Sequence, residues 1–295
     1  MELVILAAGH GRRFGGLKQL APVGPNGESI IDYTALDAMS SGFTRIVLVV
    51  RKEIEDEIRS HVARHWPAEL SWESVRQEGH AGTAQAVYSA APALSGPFGI
   101  ANADDFYGLD ALGLLAGRLA GGAATGAAAS DPEPPHLLIG YRLANTVLTD
   151  ATVTRGICRQ DDEGYLVEVS EQKVTARGEG FVGVPVSSPE AVPADLSGGE
   201  LVSMNLWGMQ PRMLDHLRAA LDAFDPPPPP PDAEKPPELL LPEVVGRLVQ
   251  SSRERVKVHE TSGICIGITH PDDLAFVRKA LGGRRPGDVI PGQLG

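Results

Sequence analysis

Residues 2–20 read ELVILAAGHGRRFGGLKQL, an apolar run that passes directly into a stretch rich in glycine. The run ELVILAA predicts a first buried strand, because short apolar segments bounded by turn residues are typical of parallel sheets. Glycine has no side chain, so the backbone that follows can approach a ligand closely and turn its N–H groups inward. The stretch therefore predicts a strand followed by an anion-binding loop, with glycines at 9, 11, 15 and 16.

The loop carries a charge opposite to that of the whole chain. The 295 residues have a net charge of −12, which argues against a nucleic-acid-binding surface. No carboxylate lies between Glu2 and Glu28, yet Arg12, Arg13 and Lys18 all fall in that interval. A solvated basic turn would also explain three cations. The neighbouring glycines favour a phosphate site over that alternative.

Two common phosphate-binding motifs do not fit the loop. A P-loop requires Gly-Lys-Ser or Gly-Lys-Thr at the start of a helix, and this stretch has neither. A dinucleotide fingerprint requires a small third residue, whereas GHGRRF places Phe14 there. The predicted second strand also ends at Arg51 rather than at an acidic residue. A nicotinamide-dependent enzyme is therefore disfavoured.

The first half of the chain alternates apolar runs with helical patterns, which indicates βα units on a mostly parallel sheet. In the second predicted helix, Ile54, Ile58 and Val62 are four residues apart and share one face. Ligands bind such sheets at the carboxyl ends of the strands. The predicted strands cover 2–8, 45–50, 70–75 and 98–103, and the predicted helices cover 30–41 and 53–65.

The second half has a different pattern. A hairpin is predicted over 153–171 with its turn at DDEG, and the run 225–237 is too rich in proline for a helix or a central strand. The tail 282–295 has little to bury. Further strands are predicted at 201–209, 255–259 and 263–268, and further helices at 211–223, 238–251 and 271–281.

Cysteine usage and hydropathy bear on the compartment. Cys158 and Cys265 have neither paired spacing nor histidine neighbours, so both are interpreted as packing thiols in a reducing cytoplasm. Met1 and Glu2 lead straight into the apolar run, unlike a signal peptide. No apolar stretch reaches the roughly 20 residues that span a membrane. We expect a cytoplasmic protein with no membrane partner.

Several stretches, in a fixed order, resemble the sugar-1-phosphate nucleotidylyltransferases, which make nucleotide sugars. The Gly-Thr-Ala-x-Ala form is closer to that branch than to the molybdopterin nucleotidyltransferases, and the whole chain resembles a bacterial subgroup of it. Each motif alone is weakly specific, and the ordered set is strong. The matching stretches are LAAGHGRRFGGLKQL (6–20), QEGHAGTAQAV (77–87), IANADDFYG (100–108), SEQK (170–173) and VSMNLWG (202–208).

This resemblance implies a Rossmann-like three-layer sandwich with a mixed, mostly parallel sheet, of the GT-A type. It also implies Mg²⁺-dependent transfer of a nucleotidyl group from a nucleoside triphosphate to a sugar 1-phosphate, with release of pyrophosphate. One domain is expected over 1–281, divided into a nucleotide-binding half (1–130) and a sugar-phosphate-binding half (131–281). A flexible tail is expected over 282–295.

The resemblance also assigns site residues. Arg13 and Lys18 are the expected catalytic cations, and Asp104 and Asp105 are the expected metal ligands. An Asp at that place is otherwise a turn or N-cap residue, and Thr83 an ordinary N-cap. The expected nucleotide contacts are Leu6, Ala7, Ala8, Gly9, Gly11, Gln77, Gly82 and Thr83, and the expected sugar-phosphate contacts are Gly140, Glu171, Lys173 and Asn205.

The sequence departs from the family pattern at one place. Many relatives carry a second metal aspartate before a late Gly-Thr pair, where this chain has Cys265. Either Asp272 or Asp273 substitutes, or one carboxylate and the phosphates hold the metal. A glycosyltransferase that uses nucleotide sugars and a non-catalytic nucleotide sensor are the alternative functions. The base, the sugar and a homo-oligomeric state are left open.

Overall fold

The computed structural model describes residues 1–9, 14–124, 133–149, 151–226, 237–268 and 271–288. The strands are β1 Glu2–Leu6, β2 Arg45–Val50, β3 Trp72–Arg76, β4 Phe98–Asn102, β5 Asp105–Phe106, β6 His136–Arg142, β7 Val153–Gln160, β8 Leu166–Arg177, β9 Gly180–Pro185, β10 Ala194–Leu196, β11 Leu201–Met209, β12 Val256–Thr261 and β13 Ile266–Gly267. The helices are α1 Ile30–Ser40, α2 Glu55–His65, α3 Gly82–Ser89, α4 Leu109–Ala124, α5 Met213–Asp222, α6 Leu241–Gln250 and α7 Asp273–Leu281.

One mixed sheet of 11 strands organises the described residues, in the order β10-β9-β8-β7-β11-β4-β1-β2-β3, with β6 paired to β11 and β12 paired to β6. The strands β4, β1, β2 and β3 run parallel, so their carboxyl ends lie at one edge. Beyond them β11 is antiparallel to β4, and the extension β7–β10 continues antiparallel. The predicted α/β fold is confirmed.

Alternate side chains of β1 separate the two layers of helices. Leu3 and Ile5 pack on one face of the sheet with α1, α2 and α4, whereas Val4 packs on the other with α3, α5 and α6. Every one of these three side chains is fully buried. A strand that is apolar on both faces is what a sheet covered by helices on both sides requires. None of the described helices is both long enough and apolar enough for a bilayer crossing.

Most predicted elements of the first half occur within a few residues of their expected bounds. The first strand is shorter than predicted, since β1 ends at Leu6 and the two alanines after it begin the loop. The hairpin turn lies at residues 161–164 as predicted, and β11 has the predicted bounds. The proline-rich interpretation falls mainly on residues 227–236, which lie outside the described residues.

The segment after α7 differs from the expected tail. Arg284 is 7% exposed, and its guanidinium donates to the Asp37 carboxylate of α1 at 2.9 Å. The Gly287 N–H donates to the same carboxylate at 2.6 Å, and the Tyr33 hydroxyl donates to the Arg284 carbonyl at 2.5 Å. Residues 282–288 are therefore packed against α1, and 289–295 lie outside the described residues.

Candidate active site

The backbone at the end of β1 continues the sheet for one further residue. The Ala7 N–H donates to the Val49 carbonyl at 2.8 Å, which extends the pairing with β2 past Leu6. Ala7 and Ala8 are buried, and Gly9 is exposed. A Cβ at Gly9 would meet no heavy atom within 4 Å, so the chain opens to solvent at this point.

The lysine of the loop is fixed by its neighbour. Gly11 and Arg13, both predicted phosphate contacts, lie outside the described residues, so their roles stay predictions. Lys18 begins a short 3₁₀ turn, in which the side chain of Gln19 is buried. The Gln19 amide donates to the Ala7 carbonyl at 3.2 Å. This bond holds the backbone of Lys18 beside the end of β1.

The ammonium of Lys18 forms an ion pair with the carboxylate of Asp104, directly after β4. The Asp104 carbonyl in turn accepts from the Ile268 N–H at 2.9 Å, next to β13. The two charged side chains are only 19% and 29% exposed. The predicted phosphate-binding cation and one predicted metal ligand therefore meet at the carboxyl edge of the parallel strands.

Asp105 lies beneath this pair and is nearly inaccessible, with 9% exposed. Its Oδ2 accepts from the Asn102 side-chain amide at 2.8 Å. Burial raises the pKa of Asp105 to about 6, and the neighbouring Asp104 carboxylate adds to the rise. Two adjacent carboxyl groups in unlike environments therefore face the same small region, one partly open and one closed.

These carboxylates suit a hard divalent cation. Mg²⁺ prefers oxygen ligands and is commonly held by one or two carboxylates together with substrate phosphates. In the part of the chain that the structure describes, no group of three or more His, Cys, Asp or Glu is gathered as a metal cluster. Asp104 and Asp105 are the carboxylates at this edge that would hold such a cation. The elevated pKa of Asp105 fits this, because a cation would stabilise its ionised form.

The late carboxylate of the family pattern has no equivalent in β13. Cys265, directly before β13, is fully buried, and burial raises the pKa of its thiol well above the ordinary value. Gly267 pairs with Asp105 across the two strands. A Cβ at Gly267 would lie 2.4 Å from the Asp105 Oδ1, so no side chain fits there. Asp272 and Asp273 mark the start of α7, as their sequence context indicated.

Asn205 lies at a distortion of β11. The pairing of β11 with β6 shifts register between Ser203 and Trp207, and Asn205 has a left-handed φ of 59°. The Tyr107 hydroxyl donates to the Met204 carbonyl at 2.8 Å. The same hydroxyl accepts at 2.9 Å from the backbone N–H of Asn102, at the end of β4. This bridge brings the bulge beside the carboxylates, and left-handed non-glycine residues cluster at functional sites.

The predicted base-binding residues lie at the start of α3. The Gln77 side-chain amide donates to the Gly82 carbonyl and to the Gln85 Oε1, both at 3.1 Å. Gly82 has a φ of +85°. Thr83 does not cap its own helix: its Oγ1 accepts from the Leu241 N–H at 2.9 Å, at the start of α6. The expected cap is thus supplied to a different helix.

Two arginines that no sequence signal identified support these loops. Arg51 donates to the Ala8 carbonyl and to the Gly79 carbonyl, both at 2.9 Å, and so joins the loop after β1 to the loop before α3. Arg155, on β7, donates to Thr146 through the hydroxyl at 3.1 Å and the carbonyl at 2.5 Å. Burial lowers the pKa of Arg155, and attraction to Asp105 opposes that shift. The Arg51 contacts span 43 and 28 residues, whereas Arg155 and Thr146 are nine residues apart.

The predicted sugar-phosphate residues lie on the antiparallel part of the sheet. Glu171 and Lys173 are exposed on β8, opposite Gly156 and Thr154 of β7. Gly140 lies on β6, where a Cβ would be 3.2 Å from the Val258 Cγ1. The contact of these side chains with a substrate stays a prediction.

The described part of the site is Lys18 paired with Asp104, with Asp105 next to it, at the carboxyl edge of the parallel strands. The profile of the MobA-like NTP transferase domain matches residues 3–161, just over half of the chain. The chain belongs to the MobA-like NTP transferase domain family. This NTP transferase therefore uses the matched segment, which contains the Lys18–Asp104 pair, for nucleotidyl transfer. No curated protein matches it significantly.

Solved structures resemble the whole NTP transferase. An inositol-1-phosphate CTP transferase from T. maritima has a TM-score of 0.62 at 16% identity, and covers 96% of this chain and 95% of its own. A UDP-glucose pyrophosphorylase with UDP-glucose has a TM-score of 0.60 at 15% identity, over 96% and 99%. A protein described as a glucose-1-phosphate thymidylyltransferase from Bacillus anthracis, with a sucrose, reaches 0.65 at 13% identity, over 99% and 98%. At such identities the likeness establishes the fold.

Proposed function

We propose that this NTP transferase moves a nucleotidyl group from a nucleoside triphosphate to a sugar 1-phosphate and releases pyrophosphate. An oxygen of the sugar phosphate attacks the α-phosphorus, and the bond from that phosphorus to the pyrophosphate oxygen breaks. The observation that carries this proposal is the meeting of Lys18 and Asp104 at the carboxyl edge of the sheet. The activities named for the similar structures support the acceptor class.

The chain's own groups neutralise and align two anions. Lys18, together with Arg13, binds the α-phosphate and the departing pyrophosphate, whose negative charge increases as the bond breaks. Asp104 and Asp105 would hold a divalent cation such as Mg²⁺, which would supply positive charge to offset that of the phosphates. Backbone N–H groups near Gly9 and Gly11 donate to the phosphate oxygens.

The base and the ribose meet the residues at the start of α3. The Gln77 nitrogen is held by the Gly82 carbonyl and by Gln85, so Oε1 is the atom it offers to a base. Gly82 lies beside the base, and Thr83 lies beside the ribose. Leu6 to Ala8 line the nucleotide from below.

The acceptor lies on the other side, against the antiparallel strands. Lys173 binds the sugar phosphate, and Glu171 and Asn205 accept hydrogen bonds from sugar hydroxyls. Gly140 leaves room for the ring. We place the reaction in the cytoplasm, where nucleoside triphosphates are abundant, without a nucleic acid or membrane partner, and an assembly of several copies is compatible with it.

A substrate matrix tests this proposal. Five nucleoside triphosphates are combined with several sugar 1-phosphates in the presence of Mg²⁺, and pyrophosphate release is measured. We expect release with at least one pair, and none without the acceptor or with excess chelator. Silence across the matrix would contradict the proposal. Transfer of labelled sugar from a nucleotide sugar without a triphosphate would instead support a glycosyltransferase.

A further inference from the structure

The Lys18–Asp104 ion pair occupies groups that the proposed reaction assigns to two different ligands. Lys18 is assigned to the phosphates of the triphosphate, and Asp104 is assigned to a divalent cation. In the structure, these two groups bind each other. The pair is more than a transient surface contact, because the two side chains are mostly shielded from solvent at 19% and 29% exposure.

We propose that the Lys18–Asp104 pair closes the metal position in the nucleotide-free enzyme, and that the triphosphate opens it by drawing Lys18 away. The inference rests on the proposed function, because it assigns the same residues to the same ligands. It adds an order of events: the nucleotide recruits the cation, and the free enzyme binds divalent metal weakly.

Charge balance supports this order. With Lys18 paired to Asp104, an arriving cation meets the lysine ammonium at short range as well as the carboxylates. When the ammonium moves to a triphosphate, the Asp104 carboxylate is released and the local repulsion falls. Asp105 alone is a poor first ligand, because it is buried and already accepts from the Asn102 amide.

The local structure allows the exchange without rearranging the backbone. The 3₁₀ turn that begins at Lys18 is fixed to β1 through the buried Gln19. The lysine side chain has four flexible carbons beyond that fixed point, so its ammonium can move between partners while the turn stays in place. Asp104 is likewise held by its carbonyl, which pairs with Ile268. Both partners therefore move only their side chains.

Metal binding to nucleotide-free protein tests the proposal without any turnover. Mn²⁺ is titrated into the wild type, Lys18→Gln, Lys18→Arg and Lys52→Gln, and free Mn²⁺ is measured by electron paramagnetic resonance. We expect Lys18→Gln to tighten Mn²⁺ binding by about tenfold or more, because it removes a charge next to the ligand. Lys18→Arg keeps the charge, and Lys52→Gln removes an exposed lysine elsewhere, so both are expected to stay within about twofold of the wild type.

A chemical-modification experiment tests the Lys18–Asp104 pair by substituting Asp104 instead of Lys18. Acetylation of Lys18 by a small reagent is followed by mass spectrometry in the wild type and in Asp104→Asn, with acetylation of Lys52 as the internal reference. We expect Asp104→Asn to raise the relative rate at Lys18 severalfold, because its ammonium loses its partner. This measurement also serves if Lys18→Gln fails to fold.

The outcomes separate this inference from the proposed function. Equal Mn²⁺ affinity in the wild type and Lys18→Gln, or equal Lys18 acetylation in the wild type and Asp104→Asn, would overturn the closed metal position. Pyrophosphate release by the wild type would still support the reaction. Conversely, tighter Mn²⁺ binding in Lys18→Gln with no turnover on any substrate pair would support the ion-pair closure and contradict the reaction.

Discussion

Asn205 of β11 has a left-handed backbone conformation, which is locally strained, beside the carboxylates. A non-glycine residue in this region is strained by about 1 kcal/mol or more, and asparagine tolerates it better than most. The Asn205 Oδ1 also accepts from the Trp207 indole N–H at 3.3 Å. The side chain therefore relieves a conformation that the register shift imposes.

Substitutions at Asn205 test whether its left-handed backbone conformation lowers the free energy of unfolding. We expect Asn205→Ala to lower the free energy of unfolding by about 1–2 kcal/mol, because alanine is less tolerant of this φ and loses the bond to Trp207. Asn205→Gly loses the same bond without the strain and is expected to cost less. Urea unfolding followed by circular dichroism measures both. Equal losses would mean that the backbone conformation is not the cause.

Lys18 is predicted to contribute to catalysis. Lys18→Ala is expected to lower kcat for pyrophosphate release by about 10²- to 10³-fold, the usual loss for one preorganised charged group. Lys52→Ala is the matched control and is expected to stay near the wild type. A kcat near normal in Lys18→Ala would remove this lysine from the mechanism.

Sequence motifs identified site residues where the recognition is local. Lys18, Asp104 and Asp105 lie within short, ordered stretches next to predicted strands, and the structure brings them together. Arg51 was missed because its partners come from the tertiary fold: it reaches back 43 residues to Ala8. Arg155 was missed because its bonds to Thr146 depend on how the chain folds between β6 and β7. A lone arginine on a strand carries no sign of such a contact.

At the scale of elements, α3 depends on the segment before α6. The Leu239 N–H donates to the Ala81 carbonyl at 3.0 Å, and the Ala84 N–H donates to the Leu239 carbonyl at 3.1 Å. Together with the bond from Leu241 to Thr83, these contacts join the nucleotide loop to a segment more than 150 residues away. Gly82 makes this approach feasible, since its hydrogen lies where a side chain would collide.

Substitutions at two glycines test the packing of Gly82 against Leu239. A Cβ at Gly82 would lie 2.7 Å from the Leu239 carbonyl oxygen, at a φ that alanine avoids. Gly82→Ala is therefore expected to lower the free energy of unfolding by about 2 kcal/mol or more. Gly246→Ala, inside α6 with nothing within 4 Å, is expected to raise it by about 0.5–1 kcal/mol. Urea unfolding compares the two, and a neutral Gly82→Ala would contradict the close approach.

Sequence periodicity missed several elements, among them β5, β6, β9, β10 and α4. β6 is buried along nearly its whole length, so it lacks alternation, and it follows the prolines of the segment DPEPP. The two-residue β5 is too short to leave a periodic signal; among the described residues it pairs with β13, which lies inside the strand predicted over 263–268. The hairpin of β7 and β8 was predictable because its turn residues are explicit.

At the scale of the whole molecule, a buried ionic cluster joins β6, α5 and the residues before β12. Glu254 accepts from Arg212 at 3.0 Å, and it lies 2.8 Å from His216 and 3.2 Å from His136. Burial lowers the pKa of His136 to about 4, although the Glu254 carboxylate opposes the shift. The Gln210 N–H donates to the His136 Nδ1 at 3.1 Å, consistent with a neutral ring.

This cluster gives stability a pH dependence. Between pH 6.5 and 4 the unfolded chain protonates His136 while the folded chain does not, so the free energy of unfolding falls as the pH is lowered. The contribution of His136 reaches up to about 3 kcal/mol by pH 4. Urea unfolding at pH 7.5, 6.0 and 4.5 measures this. His136→Gln is expected to flatten the curve in that window, though not completely, because burial also lowers the pKa of His259 to about 4. A slope equal to that of the wild type would exclude His136 as a cause.

The contact of Arg284 with Asp37 joins the segment after α7 to α1. The Arg284 guanidinium carbon lies 5.0 Å from the ring centroid of Phe106, directly after Asp105. Burial raises the pKa of Asp37, and Arg284 opposes that rise. Arg284→Met leaves this carboxylate buried without a cation, and we expect a loss of about 3–5 kcal/mol in the free energy of unfolding.

Matched variants test whether the buried charge of Asp37 explains the loss of stability in Arg284→Met. Arg285→Met, at an exposed neighbour, is expected to stay within about 0.5 kcal/mol of the wild type. The double variant Arg284→Met with Asp37→Asn is expected to recover part of the loss, because the buried charge is gone. Urea unfolding measures all of them. If the double variant were no more stable than Arg284→Met, lost packing rather than charge would explain the effect.

The antiparallel extension β7–β10 joins the rest of the sheet at two places, since β7 pairs with β11 and the hairpin turn bridges to β12 through Tyr165 and Lys257. Within the described strands, β7 pairs with β11 only at Val202 with Ile157 and at Ser203 with Gly156. Changes within this extension are therefore expected to leave the pairing of β4, β1, β2 and β3 intact. If the extension holds the acceptor, as proposed, relatives can differ in acceptor preference while they keep the residues proposed to bind the triphosphate.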